Sequence, residues 1–153
     1  LILGENSLRI FLDHESIEKA GLKLDEVKAA AKKEFEKDDN VAFVVDYDNV
    51  AAQSIPQPIR ERIINGYSRE RGGDLLLVTN PGWIDASNAT NYKGTTHGLW
   101  NPDDSHIPLI FMGWNIKHGE TSKPTSMTDI APTVCSMLHI QMPNACVGNS
   151  IFQ

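Results

Sequence analysis

A chain of 153 residues with 41% hydrophobic and 22% charged residues has the size and make-up of an ordinary globular domain with a real core, not of a disordered segment. Its net charge of -6 offers no basic surface to nucleic acid or anionic lipid. No apolar run reaches the roughly 18 residues that a membrane-spanning helix needs, and no signal sequence opens the chain. The first residue is Leu1, not Met, which is compatible with a processed or truncated product whose leader has been lost.

The segment "SLRIFLD" at 7–13 alternates apolar and polar residues, with Leu8, Ile10 and Leu12 on one side, and predicts a strand. "HESIEKAGLK" follows as a short helix stopped at Gly21. Residues 24–37 read as an amphipathic helix. Leu24, Val27, Ala31 and Phe35 share one face; Asp25 and Glu26 begin it, and Lys32, Lys33 and Lys37 end it. "VAFVVDY" at 41–47 is a β-branched strand, "PIRERIING" at 58–66 a short helix, and "DLLLVT" at 74–79 a further strand.

Residues 80–107 form a long segment rich in Asn, Gly, Thr and Asp, of a length that in compact domains is usually functional or disordered. "IPLIFMG" at 107–113 predicts the most buried strand. "DIAPTVCSMLHI" at 129–140 predicts a helix with Asp129 as N-cap, Pro132 tolerated in its first turn, and Ile130, Val134, Met137 and Leu138 as its packing face. The order of elements predicts an α/β fold, a mixed sheet with flanking helices, whose N-terminal part is a split β-α-β layer with antiparallel pairs. Residues 1–80 are expected as a small α/β subdomain and 81–153 as a second segment. Cys135 and Cys146 have no metal-binding spacing; two thiols are favoured slightly over a disulfide.

His97 is the foremost candidate for chemistry. A histidine binds zinc as neutral imidazole with a fixed ring, and Gly94 and Gly98 let the backbone bend close to a site, with Thr95 and Thr96 to bond the turn. From spacing alone the signal is weak, because a lone histidine in such a loop more often satisfies a turn. Asp103, Asp104 and His106 could join it in a metal set, but "NPDDS" reads better as an acidic turn, with His106 as an orienting neighbour. His14, His118 and His139 fit surface or capping roles. Arg60, Arg62, Arg69 and Arg71 form a basic group that is solvated by default, with phosphate binding as the alternative. Trp83, Trp100 and Trp114 flank the long loop and serve core packing before pocket lining. No nucleophile elbow, phosphate-binding glycine loop or HExxH is present.

The blocks "NGYSRERGGDLLLVTNPGWI", "GTTHGLWNPDDSHIPLIFMGWNIKHG" and "TDIAPTVCSMLHIQMPNACVG", in that order, resemble the C-terminal part of the alkaline phosphatase superfamily. The likeness is greatest to the bacterial periplasmic phosphate-irrepressible alkaline phosphatases. It is strong from about residue 65 onward and less specific before that.

The resemblance implies a two-zinc phosphohydrolase acting on phosphate monoesters through a threonine or serine phosphoenzyme, in a periplasmic or secreted setting. It maps one zinc ligand onto His97, and it maps the "DxHxP" feature onto Asp104, His106 and Pro108 as loop support. The family's other ligands, its nucleophile and its phosphate-contacting lysine and arginine lie upstream and have no counterpart here. The chain is therefore expected to be a fragment of a zinc-dependent phosphomonoesterase, inactive by itself and holding no zinc stably, because a catalytic zinc takes about three protein ligands. The alternatives are a standalone binding or oligomerisation module, or a piece of a related phosphodiesterase or sulfatase. Exposed apolar surface on such a fragment predicts self-association, with no nucleic-acid or membrane partner.

Overall fold

The computed structural model describes residues 2–6, 8–83 and 97–152, which fall in two compact units, Leu1–Pro108 and Leu109–Gln153. The first holds a four-stranded sheet of β1 (Ile2–Asn6), β2 (Arg9–Leu12), β3 (Val41–Asp46) and β4 (Leu75–Thr79), in the order β1-β2-β4-β3. Every pairing is antiparallel. The mixed sheet expected from the sequence is thus antiparallel among the described residues. β2 and β3 each run against the β4 that separates them, so they are parallel to one another. Their connection through α1 (His14–Lys19) and α2 (Leu24–Phe35) makes the split β-α-β unit.

Alternation along the strands divides the core between the two faces of this sheet. Val44 and Leu75 join Ile10, Leu12 and Ile17 on the face covered by the Leu24, Val27, Ala31 and Phe35 stripe of α2. Val45 and Val78 point the other way, onto Ile59 and Ile63 of α3 (Gln57–Gly66), with Val50 and Ile55 beside them. The α1 helix begins at Asp13, whose carboxylate accepts from the Ser16 amide at 3.0 Å, and the chain leaves it through Gly21 at φ +67°. A 3₁₀ stretch, Tyr47–Ala52, follows β3 where the sequence pattern gives no helical signal. At "NPDDS", expected as an acidic, helix-cap-like turn, a short α4, Pro102–Ser105, forms with Asn101 at its N-cap position and Asp103 and Asp104 in its first turn.

One face of α2 carries an exception to its apolar pattern. Lys28 is 4% exposed, and its ammonium group meets Asp46 Oδ1 at 3.1 Å and the Asp48 carboxylate. Gln53 completes the cluster: its side-chain oxygen accepts from the Asp46 amide and its NH₂ donates to the Asp46 carbonyl. Burial works against the Lys28 charge, yet the hydrogen bonds that its ammonium donates to Asp48 and Asp46 outweigh it and hold its pKa above the ordinary lysine value. Burial likewise opposes the Asp46 charge, and the bonds from Asn49 and Lys28 hold its carboxyl below the usual range.

The second unit is built on α5 (Ile130–Leu138), preceded by a 3₁₀ turn at Met127–Asp129. Asp129 does not cap α5 with its side chain, as the sequence suggests. Its carboxylate instead accepts from the Ser126 amide at 2.9 Å and from the Asn149 amide at 2.8 Å, tying the segment around Asn149 to the start of the helix. The side of α5 that is buried carries Pro132, Thr133 and Cys135, while Val134 and Leu138 of the expected packing face are exposed. Cys135 and Cys146 are both free thiols.

"IPLIFMG" is the clearest departure. No strand forms over 107–113, and Ile110 and Met112 are 82% and 94% exposed. A strand exists only as part of a ladder, and no neighbouring strand among the described residues offers this segment its N–H and C=O partners.

Candidate functional site

His97 lies on an exposed stretch that leads into α4. Residues 84–96 of the expected 80–107 loop, including Gly94, Thr95 and Thr96, lie outside the described residues. The backbone immediately after His97 is closely held. Gly98 takes φ +124°, a conformation that residues with a β-carbon rarely adopt. One carboxylate oxygen of Asp104 accepts from the Gly98 amide at 2.7 Å and the Leu99 amide at 2.5 Å. Two N–H donors on a single charged acceptor make a strong local restraint. Asp104 is itself set by α4, its own amide bonding the Asn101 carbonyl at 3.0 Å.

Trp100 fastens the loop to the sheet layer. Its ring packs against the cluster between the sheet and α3. Its carbonyl accepts from Arg62 Nη1 at 2.6 Å and from the Ser105 hydroxyl at 3.3 Å. Gly98, Leu99 and Trp100 also form one wall of a cavity of about 320 Å³, faced by Tyr47, Arg62 and Thr79. Asn101 is 1% exposed, and neither end of its amide is hydrogen-bonded among the described residues.

The other candidates separate. Asp103 and His106 are exposed, and His106 contributes a backbone bond to the Pro102 carbonyl at 2.9 Å. Among the described residues, no group of three His, Cys, Asp or Glu side chains could hold a metal ion. His97 offers an exposed imidazole, a nitrogen donor of the type that zinc takes, beside a restrained backbone. His14 bonds Asp74 Oδ1 at 2.6 Å, and Asp74 Oδ2 accepts from the Leu12 amide, so this pair fastens α1 to β2 and the start of β4. His139 ends α5 in the left-handed conformation.

The basic group divides by what its members bind. Arg60 donates to the Gln53 carbonyl at 2.7 Å and Arg62 to that of Trp100, so both are engaged with backbone oxygens. Arg69 and Arg71 are exposed. Trp100 serves the core as expected, whereas Trp83 and Trp114 are exposed. Sequence reasoning missed the Arg62 bond, for which the only trace is that Arg62 adjoins Ile63 on the inward side of α3. It also missed the Lys28 cluster, although Lys28 stands four residues after Leu24 on the apolar face of α2.

No protein-family model matches the chain. It is 48% identical over 151 residues to a Myroides odoratus protein named calcium-transporting ATPase, covering 99% of this chain and 27% of that one. It is 42% identical over 151 residues to alkaline phosphatase PafA of Elizabethkingia meningoseptica, with the same two coverages. The crystal structure of wild-type PafA superposes with a TM-score of 0.90 at 43% identity, over 98% of this chain and 28% of that one. The chain thus spans about a quarter of the length of the relatives it matches, and over that span it is similar in sequence and fold to alkaline phosphatases.

Proposed function

We propose that the chain is the C-terminal portion of a zinc-dependent phosphomonoesterase and supplies His97 as one ligand of a two-zinc centre. The agreement with PafA in both sequence and fold carries this reading. When bound, the two metals would stabilise the attacking and leaving oxygens of phosphoryl transfer. The threonine or serine nucleophile and the remaining ligands would come from the rest of the longer protein. Export to the periplasm or outside the cell goes with this reading.

By itself the chain is inactive, because a single histidine cannot hold a catalytic zinc. Its exposed Ile110, Met112 and Trp114 support self-association of the isolated polypeptide. The test is zinc-supplemented hydrolysis of p-nitrophenyl phosphate by the purified 153-residue chain. No turnover is expected; turnover that disappears in His97→Ala would contradict the reading.

The name of the Myroides relative favours a second reading, hydrolysis of the ATP phosphoanhydride by the whole protein. Relative kcat/KM for a phosphate monoester, a diester, a sulfate ester and ATP, measured on the full-length protein, separates these activities. The first reading expects the monoester to lead.

A further inference from the structure

We infer that the small antiparallel layer has a task in the metal site: through Trp100 and Arg62, with Asp104 closing the turn, it fixes the backbone next to His97 before any metal arrives. The inference rests on the reading of His97 as a ligand and adds two positioning residues, Arg62 and Asp104, that act through it.

Three restraints converge within a few residues. The half-buried Trp100 packs against the cluster that contains Val45, Ile59 and Ile63, which ties the loop to the layer of β3 and α3. Arg62, from α3, holds the Trp100 carbonyl at 2.6 Å across 38 positions of sequence. Asp104 gathers the two amides directly after His97 onto one oxygen. None of these bonds uses the imidazole, so the ring remains available to a metal. None needs the metal either, since all the partners belong to this chain.

A metal ligand that arrives ordered loses less conformational freedom on binding, which raises affinity without adding a contact. The β-α-β layer contributes no ligand under this reading. Its contribution is a rigid support, with α3 as the arm that reaches the ligand loop.

Amide hydrogen exchange on the full-length protein stripped of metal gives the first test. In Asp104→Ala the Gly98 and Leu99 amides are expected to exchange about 10- to 100-fold faster, while Val44 and Val45 in β3 keep their rates. Asp104→Asn, whose side-chain oxygen still accepts, restores most of the protection. Unchanged exchange at 98 and 99, or acceleration throughout the sheet, overturns the inference.

Chelator-driven zinc loss from the full-length metalloenzyme gives the second. Asp104→Ala and Arg62→Met are expected to lose zinc about 10- to 100-fold faster than the unsubstituted enzyme, with Asp104→Asn close to it. His97→Ala keeps the two ideas apart. If it leaves zinc loss unchanged, the ligand reading fails. If it accelerates loss while Asp104→Ala and Arg62→Met do not, the ligand reading stands and the positioning inference falls.

Discussion

Lys28 Nζ stands 3.1 Å from Asp46 Oδ1, and this pair joins the inner face of α2 to the end of β3. Removing one partner of a buried pair leaves the other charge uncompensated, at a cost of about 3–5 kcal/mol for a fully buried case. Asp48 is largely open to water and softens that cost here. Lys28→Ala is therefore expected to lower stability by about 2–4 kcal/mol. Lys28→Met, which keeps the packing of the stem, is expected to lose less. Urea unfolding midpoints of the two variants measure the difference.

The same pair predicts how stability varies with pH. The Asp46 carboxyl titrates below its ordinary value of 3.8 in the folded chain. Its contribution is complete above the unfolded carboxylate pKa and is lost as pH falls through the lower, folded one. The Lys28 pKa is raised above its ordinary 10.5. Its contribution is complete below that value and is lost as pH rises through the higher, folded one. Unfolding midpoints should thus show a plateau bounded by an acid and an alkaline decline. Lys28→Met should flatten the alkaline limb; an unchanged limb would show that Lys28 does not set it.

Gly148 gives a steric prediction. A β-carbon there would lie 2.0 Å from the Thr128 carbonyl oxygen, a backbone atom that cannot swing aside. Gly148→Ala is expected to cost about 1–3 kcal/mol and to release the Asn149 to Asp129 bond. Nuclear magnetic resonance of the Asn149 amide reports that release: its exchange protection should fall.

The exposed apolar residues of the second unit predict association. Ile110 and Met112 lie on a segment with no ladder partner among the described residues, and Trp114 is exposed in the turn that follows it. Sedimentation velocity over a concentration series should show species larger than the monomer. The double substitution Ile110→Lys, Met112→Glu should shift the distribution toward the monomer. A monodisperse monomer at high concentration, binding no dye for exposed apolar surface, would contradict the prediction.

How much the sequence revealed depended on how local each cause is. The face of α2 is written in the spacing of Leu24, Val27, Ala31 and Phe35, and it packs as that spacing requires. The split β-α-β layer follows from strands that pair with one another among the described residues. "IPLIFMG" has the composition of a buried strand, but a ladder is a relation between segments, and this segment has none among the described residues. Lys28 is hidden in the sequence because its burial depends on Asp46 and Asp48, 18 and 20 positions away. The Arg62 bond to Trp100 spans 38 positions and leaves no periodic trace. His97 itself stood out only weakly by its glycine neighbours; the order of three blocks resembling a known family gave it a role. The supporting role given to Asp104 by that resemblance agrees with its two amide bonds.

Zinc stoichiometry of the full-length protein, measured by elemental analysis after exhaustive desalting, tests the assignment of His97 most directly. The unsubstituted protein should hold two zinc ions per chain, and His97→Ala should retain about one under the same treatment. Two zinc ions held as firmly in His97→Ala as in the unsubstituted protein would contradict the assignment.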